Sequence, residues 1–338
     1  MTQAVIIGRF MPPHTGHLAL WEAALALEDR LHILIEDRVD DAIPATLRRD
    51  WIAAMCPAAI LHLCDGPMPQ SPKETPDFAT RWADRIGQLI DGPVDRVVGS
   101  EAYCVGLADA LGAAYTVLDP MRVAFPISST RIRTNPYAVW SFVPPVVRPH
   151  YQKRLTLVGP ESVGKSHLTR LLAERFGGPF VPEYGRPFEK YRREGPYAAE
   201  ELHEIARGHA AHRQAIARQA GPILFEDTDE LLTSVWAEML LDRSLPDLEA
   251  RIVLPDLYLL LDPDVPWAED PIRYFARDEA RKTFYDLIRR KLDAHGATYR
   301  IVSGDWAARE AQGIATVEEM LASPARHAEA ASPRTPNP

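Results

Sequence analysis

A short apolar stretch, a glycine loop ending in Lys-Ser and a helical run leave few folds open to this 338-residue chain. The loop reads Gly159-Pro160-Glu161-Ser162-Val163-Gly164-Lys165-Ser166. It follows Leu155-Thr156-Leu157-Val158 and precedes Leu168, Leu171 and Leu172 at helical spacing. Backbone N–H groups of such a loop cradle phosphates only where a strand end meets a helix N-terminus, so the segment predicts a parallel α/β unit. Lys165 then reaches the β and γ oxygens of a nucleotide, and the Ser166 hydroxyl suits magnesium. Gly159, Glu161, Ser162, Val163, Gly164, Lys165 and Ser166 are the candidate nucleotide-binding residues of this half. A glycine-rich turn without nucleotide is the bland alternative.

A second phosphate signature lies upstream at Gly8-Arg9-Phe10-Met11-Pro12-Pro13-His14-Thr15-Gly16-His17. It joins an apolar stretch to a helical pattern and sets two imidazoles at the helix entrance. Free N–H groups and the macrodipole attract anions there, and imidazoles can donate to a developing pentacoordinate phosphorus. Gly8, Arg9, Phe10 and Gly16 are candidates for nucleotide contact, His14 and His17 for catalysis; simple helix capping by the histidines is the competing reading. Ile127-Ser128-Ser129-Thr130-Arg131-Ile132-Arg133 opens another helix with hydroxyls at its cap. Ser128, Ser129, Thr130 and Arg133 are placed to hold the β and γ phosphates of ATP.

Apolar runs alternate with helical patterns along the whole chain, which predicts α/β architecture with parallel sheets. Strands are expected at 4–7, 32–35, 60–63, 96–99 and 115–118, then at 154–158, 180–181, 223–226, 257–261 and 299–302. A proline cluster at Pro144, Pro145 and Pro149 marks a boundary, giving units 1–149 and 150–322. Residues 323–338, rich in Ala, Ser and Pro, read as a disordered tail. Cys56, Cys64 and Cys104 have no metal or disulfide spacing and suit buried thiols in a reducing cytoplasm. A net charge of −9 argues against nucleic acid as partner, and no run approaches the roughly 20 apolar residues of a membrane span. Small-molecule partners are expected, and self-association is left open.

Three further groups complete the candidates. Gly99-Ser100-Glu101-Ala102-Tyr103 ends a strand, and Phe78 with Trp82 could offer a ring to a substrate base, though aromatics at this spacing are more often core. Asp227 and Asp229 follow the strand 223–226, where carboxylates suit magnesium and its water. Glu183 can act as a base toward a hydroxyl, and Arg186 can contact phosphate.

The pattern GRFxPxHxGH with ISSTxIR resembles the nucleotidyltransferase superfamily, and within it the nicotinamide mononucleotide (NMN) adenylyltransferases; Met11 stands where relatives often have Gln. In the second half, EYGR at 183–186, IARGHA at 205–210, DTD at 227–229 and LLLDPDVPW at 259–267 resemble the ribosylnicotinamide kinase half of NadR-type bifunctional proteins. The resemblance implies a Rossmann-like adenylyltransferase followed by a P-loop kinase, with ATP as co-substrate and Mg2+ as cofactor. It also implies that Trp267 lines the nicotinamide side, Asp229 and Glu183 the ribose side, and Arg273 a lid over the phosphates; Tyr184, within EYGR, is a further candidate for substrate binding. Asp270-Pro271-Ile272-Arg273 departs from the Asp-Gly that relatives place before that arginine. Since the chain starts at the nucleotidyltransferase strand, no helix-turn-helix repressor domain is expected. The reading is a bifunctional enzyme of NAD biosynthesis or salvage. Rival readings are a nucleotide sensor with weak or no turnover at one site, and the same two enzymes with other acceptors.

Overall fold

The computed structural model describes residues 1–66, 68–69, 71–265 and 278–327; Trp267 and Arg273 lie outside these, as does the tail beyond residue 327. The chain forms two compact units, Met1–Arg148 and Pro149–Arg326, each built on its own sheet.

In the first unit β1 (Gln3–Gly8), β2 (Arg30–Asp37), β3 (Ile60–Asp65), β4 (Arg96–Gly99) and β5 (Ala114–Val117) form a parallel sheet in the order 3-2-1-4-5. Alternate side chains go to opposite faces, as the two-residue strand period requires. Val5, Ile7, Leu34 and Val97 pack with Phe78, Trp82 and Ile86 of the helix Phe78–Leu89. Ala4, Ile6, Ile33, Ile35 and Val98 pack on the other side with Leu20, Trp21 and Ala24 of the helix Thr15–Leu27. Strands covered on both faces need apolar residues at nearly every position, which is why β1 and β2 read as continuous runs. The strand order reverses between β1 and β4. Loops leaving those two strands diverge to opposite faces and open a crevice at the carboxyl edge.

In the second unit β6 (Lys153–Val158), β7 (Ile223–Asp227), β8 (Leu257–Leu261) and β9 (Tyr299–Val302) form a parallel sheet in the order 7-6-8-9. Leu155, Leu157, Phe225, Leu259 and Leu261 pack against the helices Lys165–Phe176 and Trp306–Ala322. Val158, Tyr258 and Leu260 face the helices Glu230–Leu241 and Asp278–Ala294. The strand expected at 180–181 is only an isolated bridge from Val181 to Glu226, with Val181 N–H donating to Phe225 O. Pro179 and Pro182 flank it and have no N–H with which to extend a ladder.

The second sheet also buries charge. Glu226 on β7 is fully buried, with Arg154 Nε at 2.5 Å, Arg213 Nε at 2.9 Å and His209 Nε2 at 3.4 Å. Arg213 continues to Glu230 at 2.5 Å. Burial alone would raise the Glu226 pKa, but the His209 hydrogen bond and the Arg154 and Arg213 charges hold it at about 2. The carboxylate therefore ties the helix Ala199–Ala217, which carries His209 and Arg213, to β6 and β7. Glu226→Ala strips buried Arg154 of its carboxylate and leaves Arg213 only Glu230, and should cost this unit about 3–5 kcal/mol. Urea unfolding followed by hydrogen exchange in β6 and β7 measures it; a cost near zero would show that the cluster is solvated.

Candidate functional site

β1 runs directly into the first phosphate signature. Phe10 takes a left-handed backbone, φ +49°, which folds its ring back over Gly8; a Cβ at Gly8 would lie 2.9 Å from that ring. The same ring meets His17 edge-on at 5.0 Å. His14 and His17 stack at 3.6 Å at the start of the helix Thr15–Leu27, and His17 Nδ1 accepts the His14 backbone N–H at 3.2 Å. A neutral His17 therefore carries its proton on Nε2. Burial, with the Arg122 guanidinium adding to it, drives His14 down to about 3. Burial also takes His17 well below its ordinary value, followed by the effects of His14 and Arg122. Both rings are thus neutral near pH 7, and His14 Nδ1 is buried without a hydrogen-bond partner among the described residues.

The two halves of the first signature meet. Arg133 donates to the Met11 carbonyl and to Thr130 Oγ1, while Ser129 Oγ donates to Pro12 O at 2.8 Å. Ser128 Oγ accepts the Arg131 N–H and caps the short helix Ser129–Thr134. Gly16 lies close enough that a Cβ would meet the His14 ring and Phe125 at 3.2 Å. A cavity of about 160 Å³ opens at the ends of β1 and β4, bordered by Gly8, Arg9, Phe10, His17, Phe78 and Trp82. Phe78 and Trp82 are therefore both core and cavity wall, with Trp82 Nε1 donating to Pro69 O at 2.9 Å. Arg9 does not stand free for a nucleotide: it pairs with Asp41, which fully buried Arg48 also holds.

Three participants in this site escaped sequence reasoning. Arg122 has no motif to announce it, yet it is charged and near enough to depress both histidines. Asp119 accepts the N–H groups of Val123, Ala124 and Phe125 at 2.7, 3.2 and 2.9 Å and so shapes the loop that carries Arg122. Glu36, buried at the end of β2, borders the cavity and holds Arg38 at 2.5 Å. Only the carboxyl-edge position of Glu36 and its charge inside an apolar strand could have flagged it.

In the second unit the glycine loop joins β6 to the helix Lys165–Phe176. Ser162 and Gly164 have φ of +64° and +88°, and Gly159 adopts +153° against Leu261 O, where a Cβ would come within 2.8 Å. Glycine makes these torsions affordable at 159 and 164, in a loop of the kind whose N–H groups can face an anion. Lys165 Nζ donates to the Gly159 and Pro160 carbonyls at 3.0 and 2.8 Å. Burial lowers its pKa, with Glu183, Asp227 and Glu161 opposing. Asp227 accepts from the Ser166 hydroxyl; burial first and Glu183 second push its carboxyl up to about 6. Asp227 Oδ1 is buried and has no partner among the described residues.

Beside the loop lies a cavity of about 340 Å³, bordered by Glu161, Lys165, Ser166, Glu183, Tyr184 and Arg186. Glu183 Oε2 holds Arg186 at 3.2 Å. Tyr184 lies flat against the helix Ala199–Ala217, where a Cβ on Gly208 would come within 2.3 Å of its ring. Asp229, expected on the riboside, departs from that reading. Its Oδ1 caps the helix Glu230–Leu241 through the Leu232 N–H at 3.1 Å, its Oδ2 accepts the Tyr258 hydroxyl at 2.5 Å, and it is absent from the cavity wall. Both carboxylate oxygens are committed to the fold. Unforeseen wall residues are His167, His209 and Trp236, on three separate helices, and Tyr197 in the loop before one of them, with no shared spacing.

A family model for an AAA domain matches residues 154–309. The trifunctional NAD biosynthesis/regulator protein NadR of Escherichia coli (strain K12) is 27% identical over 344 residues, covering 95% of this chain and 83% of that protein. A crystal structure of NadR protein in complex with NR aligns at a TM-score of 0.72 and 22% identity, over 94% of this chain and 95% of the other. Another, in complex with NAD and AMP-PNP, aligns at the same score and identity over 94% and 96%. The chain is homologous to NadR and shares its fold.

The histidine pair predicts a pH response. Both pKa values are depressed in the fold, so between about pH 6.5 and 3 the unfolded chain binds protons that the folded one does not, and stability falls as pH falls through that window. Hydrogen exchange in β1 should accelerate on going from pH 7 to 5 after correction for intrinsic rates. The double variant His14→Gln, His17→Asn should show a shallower response; an unchanged slope would mean that the rings are solvated.

Proposed function

We propose that the chain makes NAD in two ATP-dependent steps, phosphorylating nicotinamide riboside to NMN in the unit Pro149–Arg326 and adenylylating NMN in the unit Met1–Arg148. The observation that carries this reading is repeated in both units: a phosphate-binding segment and a cavity with aromatic walls share the same carboxyl edge of a parallel sheet. The homology to NadR supports the pair of activities. The ligands are small molecules, and no described helix is long and apolar enough to cross a membrane. Three free, buried cysteines suit a cytoplasmic setting.

In the kinase step the riboside hydroxyl enters beside Glu183, which takes its proton as the oxygen attacks the γ phosphorus and the bond to ADP breaks. Lys165 leaves the Gly159 and Pro160 carbonyls for the β and γ oxygens, and Arg186 follows the transferred group. Tyr184 offers its face to the acceptor. Ser166 and Asp227 would hold Mg2+, and the unpartnered Oδ1 of Asp227 fits a cation. Bound there, the ion would offset the phosphate charge. Trp267 and Arg273, assigned by resemblance to the acceptor and the phosphates, fall outside the described residues.

In the adenylyl step an NMN phosphate oxygen attacks the α phosphorus of ATP, and pyrophosphate leaves without a covalent enzyme intermediate. Neutral His14 and His17 donate hydrogen bonds to the charge that builds on the α phosphate, which they can do with little change of charge or position. Arg133 and the amides of Ser128, Ser129 and Thr130 hold the leaving phosphates. Phe78 and Trp82 present ring edges and faces to the nicotinamide.

The two activities should separate by mutation, because the signatures sit in different units. Lys165→Ala is expected to lower riboside phosphorylation by about 10³-fold while leaving NMN adenylylation near the wild-type rate. His17→Ala should lower adenylylation by about 10²- to 10³-fold and accumulate NMN from riboside. Mass spectrometry of both half-reactions reads the pattern. Loss of both activities in either folded variant would rule out two independent sites, and absence of NMN and NAD from wild type would leave a nucleotide-binding protein without turnover.

A further inference from the structure

Glycine in the middle of a helix destabilises it, because it gives up more backbone freedom than alanine on folding and adds nothing to the packing. The helix Ala199–Ala217 nevertheless carries Gly208, although its other small residues are all alanine, Ala206, Ala210 and Ala211 among them. Backbone conformation does not demand the exchange, since Gly208 is not among the residues with positive φ. Space does. A Cβ at 208 would lie 2.3 Å from two ring carbons of Tyr184 and 2.7 Å from a third. At Gly87 and Gly106, also inside helices, a Cβ would meet open space.

Tyr184 borders the 340 Å³ cavity and Gly208 does not, so the ring stands between the helix and the space for the acceptor. His212, one turn further along the helix, meets the same ring edge-on at 5.3 Å. The surface under the ring is itself fixed, because His209 and Arg213 of this helix are bound to buried Glu226. Tyr184 also begins a turn: its carbonyl accepts the Phe188 N–H at 3.2 Å and opens the short helix Gly185–Glu189, which carries Arg186. Glu183 precedes it directly and holds Arg186 at 3.2 Å. The seat of one ring therefore sets the place of both charged groups.

We propose that Gly208 is a positioning residue for the phosphoryl acceptor: its missing side chain lets Tyr184 sit back against the helix, which keeps the cavity open to the riboside and sets Glu183 at the hydroxyl. The inference rests on the kinase reading and adds to it a residue that touches neither substrate. Carbon atoms in contact stay about 3.5 Å apart, so alanine at 208 drives the ring about 1 Å toward the cavity. A misplacement of about 1 Å can lower a rate on the order of 10²-fold.

Kinetics of riboside phosphorylation test the assignment. Gly208→Ala should lower kcat/KM for the riboside about ten-fold or more, while KM for ATP, read from the same unit, changes less than about two-fold. Tyr184→Ala removes the ring that the new methyl would strike. In that background Gly208→Ala should therefore add less than about two-fold to the loss. A glycine needed only for folding would give the same factor in both backgrounds; that result, or an unchanged kcat/KM for the riboside in Gly208→Ala, overturns the proposal. Calorimetric titration with nicotinamide riboside in the absence of ATP separates the inference from the reading beneath it. If the wild-type chain binds the riboside without phosphorylating it, and Gly208→Ala binds it several-fold more weakly, the positioning role stands and the kinase reading falls. A wild-type chain that neither binds nor phosphorylates the riboside removes both.

Discussion

Parallel strands start at one edge of a sheet and end at the other, so every loop leaving a strand's carboxyl end arrives on the same side. Most of what this chain does with phosphate follows from that constraint. β1 delivers Gly8 to Phe10, β4 delivers Ser100 to Tyr103, β6 delivers the glycine loop and β7 delivers Asp227. In the first sheet the order reverses between β1 and β4; in the second β6 is flanked by β7 and β8. Each glycine-bearing segment therefore leaves a central strand at the point where neighbouring loops diverge, and a cavity opens there without any strand being bent to make it.

The two sites manage charge in opposite ways. At the first, burial and the nearby Arg122 keep two imidazoles neutral, so the pair adds little positive charge of its own. The formal charge is supplied by Arg122, beside the histidines, and by Arg133, held on the Met11 carbonyl. At the second, Lys165 is buried among Glu183, Asp227 and Glu161, and those carboxylates oppose the loss of its proton. Burial still leaves the Lys165 pKa below its ordinary value, and Asp227 in turn is pushed up by burial and by Glu183. A cation at Ser166 and Asp227 would relieve that crowding. Beneath this cluster Glu226 is held ionised by His209, Arg154 and Arg213, and it fixes the helix that brings His209 to the cavity wall and packs Gly208 against Tyr184.

Much of the architecture was legible in the chain because its signals are local. Nine of the ten expected strands form, and their boundaries move by no more than about two residues, the usual latitude of strand ends. Phe180 and Val181 fail as a strand for an equally local reason, the prolines on either side. Phosphate-binding segments were readable for the same cause: a strand, a glycine turn and a helix N-terminus are contiguous in sequence. What could not be read is assembled from distant pieces. Arg122 reaches the histidines from a loop folded by Asp119, and Trp306 reaches Gly164 from the far end of the unit. Asp229 shows the reverse failure. Its position after a strand suited a ligand, but the same position makes it an N-cap, and Tyr258 on β8 takes the remaining oxygen.

That last case separates two uses of one chemical pattern. Asp227 and Asp229 are both buried carboxyls at the end of β7, and burial raises both to about 6. Their partners distinguish them. Asp229 has satisfied its acceptors with a helix N-terminus and a tyrosine hydroxyl, so a ligand would have to displace part of the fold to reach it. Asp227 keeps one oxygen buried beside Ser166 with no partner among the described residues. A buried polar atom left without a partner costs free energy, and such a cost persists where something outside the polypeptide completes the bonding. Burial and charge alone would have ranked the two aspartates together; their hydrogen-bond partners tell them apart.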